Sequence, residues 1–363
     1  MRLVFIIDNY RKVGGGSYAQ LLFASTLAKK GHDVVIFAGD RSFFSDSLKL
    51  ENIKVYYRPS LPIFFQGIGI RSFNNILRNI HFTLFLKTFI KNYKPNWVIG
   101  NLRHSAIKAY KIGRKYNIKV ANFVYETPDW LEKQLGESLS KKLLNHWDQT
   151  KTAYLKSTVL IPNSQLSANQ MRNWIPEAVI SRPVYPGVEI EEFDHSKNQE
   201  KDIDIIFIGR LHKLKNVNDL LEACLPEYNC VIIGTGEELP TLKNIAETKG
   251  LRVNFLGSVT DRVKWDCLRR SKLMVHPSSF EGFGMPPLEA LASGCKVICS
   301  DIPILHEIYG KEVTYFELHN IKDLQDKISK ALSTPNNKKS ELPALYTWSN
   351  SANTIESILN QFN

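Results

Sequence analysis

Apolar and polar positions along this chain change period repeatedly, dividing it into short continuous apolar runs and longer amphipathic ones. Leu3–Ile7, Asp33–Phe37, Lys54–Tyr57, Trp97–Ile99, Lys119–Val124 and Thr158–Ile161 are rich in β-branched and aromatic residues and read as strands. Between several of them Ser17–Lys30, Ser105–Tyr116 and Gln165–Trp174 carry a helical period. The pattern then begins afresh, with strands at Asp204–Ile208, Cys230–Ile233, Arg252–Phe255, Lys272–His276 and Lys296–Cys299. Helices are expected around Val217–Cys224, Leu239–Lys249 and Asp261–Arg270. Apolar strands alternating with helices predict an α/β chain of parallel sheets covered on both faces, here two Rossmann-like domains.

Length agrees, since 363 residues can bury two ordinary cores. The boundary falls near Arg182-Pro183-Val184-Tyr185-Pro186-Gly187-Val188, where two prolines and a glycine interrupt the pattern and a polar, acidic run follows. The expected units are residues 1–185, 186–345, and a tail, 346–363, that ends in a helix.

Charge separates the halves further. The net charge is +11, but residues 1–185 carry 27 Lys and Arg against 11 Asp and Glu, whereas 186–363 carry 20 against 25. Between Asn52 and Tyr125 no acid occurs. Within that stretch Leu61-Pro62-Ile63-Phe64-Phe65 and the segment from Ile76 to Ile90 interleave Phe, Leu and Ile with Arg71, Arg78, Lys87, Lys91 and Lys94. Such a segment fits an anionic membrane surface or a phosphate-bearing partner, each nearby cation contributing about 1 kcal/mol at a membrane. It equally fits a core helix with a solvated basic face. Nucleic acid is not expected as a partner, because no recognised binding motif accompanies the charge.

No apolar run has the length of a membrane span, and the start, Met1–Asp8, reads as a strand rather than a signal peptide. Cys224, Cys230, Cys267, Cys295 and Cys299 read as reduced core thiols, so a cytoplasmic location, with the inner membrane face as a peripheral site, is the expectation. No further ligands surround Cys295 and Cys299, and no metal or cofactor is expected.

The most informative chemistry lies in Glu281-Gly282-Phe283-Gly284-Met285-Pro286-Pro287-Leu288-Glu289. It follows the strand Lys272–His276, and the proline pair suits the first turn of a helix. Glycines let backbone N–H groups approach an anion, and a helix N-terminus adds favourable potential for phosphate. Two carboxylates then remain for hydroxyls, which together point to a nucleotide sugar. Earlier, Gly209-Arg210 and Lys215 follow another strand and supply two cations for a diphosphate. Gly14-Gly15-Gly16 sits between the first strand and the first helix, but lacks the remaining glycine of a dinucleotide fingerprint.

The run from Glu281 to Glu289, continued by Ala290-Leu291-Ala292-Ser293-Gly294, resembles the donor-site signature of retaining GT-B glycosyltransferases, in particular glycosyltransferase family 4, the glycosyl transferases group 1 type. Pro186-Gly187-Val188 resembles the linker of that family, and Tyr346-Thr347-Trp348-Ser349 with its helix resembles the C-terminal element that crosses back to the first domain. The resemblance implies a GT-B fold with two domains facing across a cleft, and a metal-independent, retaining hexosyl transfer from a UDP- or GDP-sugar. The acceptor would be a hydroxyl of a glycan or lipid-linked molecule in cell-surface polysaccharide or glycolipid synthesis.

It assigns Arg210 and Lys215 to the diphosphate, Glu281 to the donor sugar and Glu289 to the ribose. Gly15, Gly16, Gly209, Phe283, Gly284 and Met285 would face phosphate or sugar through their backbone, and Val259 the base. Asn216 stands where the family commonly has glycine. Tyr125 stands where relatives often place histidine, which leaves Tyr125, Glu126 and His104 as acceptor-side candidates and Glu126 as a candidate catalytic acid. Other readings kept open are a nucleotide-sugar epimerase, a phosphorylase, and a basic membrane-binding module without activity.

Overall fold

A computed structural model describes residues 1–7, 15–39, 53–57, 68–128, 132, 141–188, 200–335 and 340–362, and of 68–79, 141–143 and 343 the backbone only. Gly14, residues 61–65 and the Arg71 and Arg78 side chains therefore lie outside what is described. The chain divides into two compact units, Met1–Val184 with Ser351–Asn363, and Tyr185–Asn350.

The first unit is built on β1 (Arg2–Ile7), β2 (Asp33–Ala38), β3 (Lys54–Tyr57), β4 (Trp97–Asn101), β5 (Lys119–Val124) and β6 (Val159–Pro162). They form one parallel sheet in the order β3-β2-β1-β4-β5-β6. The helices α1 (Gly15–Lys29), α2 (Ile68–Tyr93), α3 (Leu102–Tyr116), α4 (Lys141–Leu155) and α5 (Gln165–Trp174) connect them. Strand order reverses between β1 and β4, the place where such sheets leave a crevice at their carboxyl ends. Val4, Ile6, Val35, Phe37 and Val98 are wholly or nearly wholly buried beneath Phe82, Leu86 and Ile90 of α2. That four-residue spacing gives α2 a core face, while Ile80 and Leu84 stay more than half exposed on another side of the same helix. The reading of this segment as a core helix therefore holds for the face that carries Phe82, Leu86 and Ile90.

The second unit repeats the plan with β7 (Ile203–Ile208), β8 (Asn229–Ile233), β9 (Arg252–Gly257), β10 (Ser271–His276), β11 (Lys296–Ser300) and β12 (Thr314–Phe316). Their order is β12-β11-β10-β7-β8-β9, with parallel pairing throughout. Its helices are α6 (Val217–Ala223), α7 (Leu239–Thr248), α8 (Asp261–Arg270), α9 (Met285–Ala292), α10 (Pro303–Tyr309), α11 (Ile321–Ser333) and α12 (Leu342–Leu345). Strand β12 and helices α10, α11 and α12 were not among the expected elements. Here the order reverses between β7 and β10, whose register pairs Leu273 with Ile205 and Met274 with Ile206.

Gly187 shows why the boundary needs a glycine. A Cβ there would lie 2.2 Å from both Thr347 C and Trp348 N, and Val188 N donates to Tyr346 O at 2.8 Å. Trp348 itself is buried and opens the last helix, α13 (Trp348–Gln361). The part of α13 from Ser351 onward belongs to the first unit, where Lys30 reaches Glu356 at 2.8 Å and Ala352, Ile355 and Leu359 are buried. Residues 346–350 stay with the second unit, so the tail drawn from sequence as one piece is divided.

Candidate functional site

In the second unit the charged residues gather where strand order reverses. After β7 the chain passes Gly209 and an exposed Arg210 into the 3-10 turn Lys213–Lys215. After β10 it passes Pro277 to Ser279 and reaches Glu281. The two loops are tied together: Ser279 N donates to Leu214 O at 3.0 Å, and Asn216 Nδ2 donates to Pro277 O at 3.0 Å. Asn216 has φ 45° and ψ 41°. That left-handed position suits glycine or asparagine above other residues, so the departure at Asn216 keeps the turn and adds a tether.

Lys215 Nζ lies 2.5 Å from Glu281 Oε1, and His276 Nε2 meets the same oxygen at 2.7 Å. Glu281, read from sequence as a carboxylate left for hydroxyls, is therefore doubly partnered, and Lys215, read there as a countercharge for a diphosphate, faces this carboxylate. Burial alone would raise the Glu281 carboxyl, but the Lys215 ammonium and His276 imidazole reverse this and hold it well below the ordinary carboxylate range. It is a fixed anion. His276 is 1% exposed and was missed in the sequence, where it counted as a strand residue.

Gly284 follows with φ 87° as the N-cap of α9, and a Cβ on it would lie 2.9 Å from Leu305 Cδ2. Only glycine fits this turn without strain. Tyr309 donates its hydroxyl to Gly284 O and fixes the loop from behind. The Phe283 side chain is buried beside Tyr185 and Tyr346, which leaves its backbone as the part able to meet a ligand. Met285 starts α9, and Val259 lies before α8.

Glu289 is 8% exposed and pairs with Lys264 Nζ at 2.7 Å. Burial raises its carboxyl and Lys264 draws it back only in part. Lys264 was also missed in the sequence. The structure thus places Gly209, Arg210, Lys215, Val259, Glu281, Phe283, Gly284, Met285 and Glu289 in one unit, and ties Lys215 directly to Glu281.

The remaining expected residues belong to the first unit. Asn101 Nδ2, at the end of β4, donates to Gly16 O at 3.3 Å across that sheet's reversal point. The Tyr125 ring covers Gly16, 3.5 Å from where a Cβ would stand. Gly15 opens α1, and a Cβ added to it would meet nothing within 4 Å among the described residues. Glu126 Oε1 lies 3.9 Å from Arg103 Nη2, and burial raises its carboxyl while Arg103 pulls it down. His104 is exposed, its ring centroid 4.1 Å from that of His146. Burial, His104 and Arg103 together lower His146 to about 4. Tyr125, Glu126 and His104 therefore sit around the carboxyl ends of β4 and β5.

Two doubly wound parallel units in one chain, the second with cations, carboxylates and a glycine-capped helix at its reversal point, define the GT-B class of fold. Residues 188–343 match the family model described as glycosyl transferases group 1, and this segment belongs to that family. The chain is 37% identical over 100 residues to a serotype-specific mannosyltransferase, WbdA, of Escherichia coli, covering 27% of this chain and 12% of that one. It is 28% identical over 157 residues to the O-antigen chain mannosyltransferase RfbU of Salmonella typhimurium, covering 39% and 44%. The chain thus spans less than half the length of these relatives. The sucrose-phosphate synthase structure from Thermosynechococcus elongatus superposes with a TM-score of 0.80 over 99% of both chains at 17% identity, a likeness of fold.

Proposed function

We propose that the protein is a retaining, metal-independent glycosyltransferase that moves a hexose-type sugar from a UDP- or GDP-sugar to a hydroxyl of a glycan or lipid-linked acceptor. The observation that carries this reading is the meeting of Lys215 with Glu281 across the strand-order reversal of the second unit, at 2.5 Å. A diphosphate placed over that point would have Arg210 and Lys215 as countercharges and the N-terminus of α9 as a dipole. Glu281, kept as an anion by the Lys215 ammonium and the His276 imidazole, would accept hydrogen bonds from the donor sugar.

In the reaction the bond from the anomeric carbon to the phosphate oxygen breaks, and its electrons go to the diphosphate. The acceptor oxygen bonds to the same face of that carbon and its proton passes to the departing phosphate oxygen. Retention follows without a protein nucleophile. Glu126, beside Arg103, is the acceptor-side residue that would orient the hydroxyl. The names of the two mannosyltransferase relatives support a hexose donor and a polysaccharide product.

No helix among the described residues is long and apolar enough to cross a membrane. A cytoplasmic location with peripheral docking through the basic first unit is part of the proposal. It is supported by the exposed Ile80 and Leu84 beside Lys87 and Lys91 of α2.

The test is transfer from UDP- and GDP-hexoses to an extract of lipid-linked glycans, with the anomeric configuration of the product read by NMR. Retained configuration and loss of product with Glu281→Gln are expected. Donor consumption without acceptor would indicate an epimerase, a strict need for inorganic phosphate a phosphorylase, and no donor consumption at all would remove the enzymatic reading.

A further inference from the structure

Helix α8 is capped by Thr260, whose side chain accepts from Val263 N, and it runs antipolar to ordinary amphipathic design at one position. Lys264 stands one turn before Cys267 and Leu268, the two buried residues of the helix, and so lies on its inward stripe. Its side chain is 15% exposed. There Nζ meets Glu289 Oε1 at 2.7 Å and Asp261 Oδ1 at 3.4 Å, and stands 4.7 Å from the centroid of the Trp265 ring. A long, strongly hydrated cation is not drawn inward by packing alone, and a buried ion pair adds little net stability. Its placement needs another reason.

We propose that Lys264 is a positioning residue of the donor site: its ammonium keeps the Glu289 carboxylate an anion in one orientation, ready to accept both ribose hydroxyls of a nucleoside diphosphate. The inference rests on the reading of the second unit as the donor site. A diol presents two O–H donors, and only an ionised carboxylate accepts both equally, since a protonated acid is itself a donor at one oxygen. Glu289 is buried on α9, where desolvation favours the neutral acid. Asp261 pushes in the same direction as burial, whereas Lys264 opposes both. Tyr309 is the other titratable group acting with Glu289, and burial keeps its phenol neutral. Lys264 is therefore the one charge near Glu289 that favours the anion among the described residues. Asp261 also serves Lys264: burial would lower the ammonium, but Glu289 and Asp261 together raise it. A single added proton on Glu289 would undo the arrangement.

Calorimetric titration of UDP and GDP into the native protein, Lys264→Met, Lys264→Arg and Glu289→Gln tests this without any transfer step. Each variant is compared with native protein at the same pH. For the nucleotide that binds, Lys264→Met should weaken affinity about threefold near about pH 8.5 and about tenfold or more near about pH 6, because the unpaired carboxylate takes up a proton as pH falls. Lys264→Arg should stay within about threefold of native at both, and Glu289→Gln should be weakened by the same factor at both. The melting temperature of each unliganded variant is read alongside, and Lys264→Gln replaces Lys264→Met if the latter does not fold.

Native affinity in Lys264→Met at both pH values would overturn the inference. So would an equal, pH-independent loss in Lys264→Met and Lys264→Arg, the mark of a tether between α8 and α9 only. If native protein binds neither nucleotide, nor any other nucleoside diphosphate, the donor-site reading fails and takes this inference with it. If native binding is intact and only the pH dependence is missing, the donor-site reading stands and the role of Lys264 alone falls.

Discussion

Lys215→Met removes one of two groups bound to the same oxygen of Glu281. The ammonium lies 2.5 Å away, the two side chains are 21% and 11% exposed, and His276 remains at 2.7 Å. A charge-assisted hydrogen bond contributes about 1.5–3 kcal/mol. With His276 still in place and a fifth of Lys215 in contact with solvent, the loss should fall at the lower end, about 1.5–2 kcal/mol. In a unit of this size that corresponds to roughly 3–8 °C in melting temperature. Turnover should fall further, about 10²–10³-fold, because the same ammonium would face the charge that grows on the departing diphosphate. Calorimetric melting at neutral pH and initial rates with donor in excess measure the two effects. In Lys215→Met/Glu281→Gln no buried anion is stranded, so melting should recover by half or more while turnover stays low. A single variant that melts within about 1 °C of native and turns over within about threefold would show that Lys215 neither pairs with Glu281 nor faces the reacting group.

Other consequences can be measured separately. Glu281 is held below its ordinary value of 4.5, so its contribution to stability is present above that pH and lost as pH falls below it; Glu281→Gln should flatten the acid limb of the melting temperature, and an unchanged limb would count against the pairing. Gly284→Ala must place a Cβ 2.9 Å from Leu305 Cδ2 at φ 87°, and should cost about 1–3 kcal/mol in melting experiments along with donor affinity. Ile80→Asp with Leu84→Asp should abolish sedimentation with phosphatidylglycerol vesicles while leaving the melting temperature within about 2 °C, since both side chains are exposed; unchanged sedimentation would remove this face from membrane docking.

Much of the fold was legible because its signals are local. Apolar runs such as Arg2–Ile7 and Ser271–His276 lie inside parallel sheets covered on both faces, which leaves them almost continuously hydrophobic. Strand β12, three residues at the sheet edge, buries only Phe316 and carries too little pattern to be seen. Helices α10 and α11 follow a proline start and an Asn320 cap, signals present in the chain but crowded by short connections.

At the site, loop glycines and carboxylates could be read because backbone conformation demands particular residues there. Their partners could not. His276 reaches Glu281 from a strand end five residues earlier, and a histidine in a strand has no local mark of its orientation. Lys264 did leave a trace: a lysine one turn before Cys267 and Leu268 is out of place on an inward stripe unless an acid awaits it. Which acid depends on how α8 packs beside α9, and no short-range pattern encodes that. Asn216 was visible as a departure, and only its φ of 45° explains why it is an acceptable one.

On the proposed function, the second unit binds the nucleoside diphosphate of a sugar donor through Lys215, Glu281 and Glu289. The most direct measurement is a melting-temperature panel of UDP-, GDP-, ADP-, CDP- and dTDP-hexoses on native protein and on Glu281→Gln/Glu289→Gln. At about 100 times its dissociation constant the correct donor should add roughly 2.7 kcal/mol to native protein and little to the double variant. Equal stabilisation of both proteins, or of neither by any donor, would contradict it.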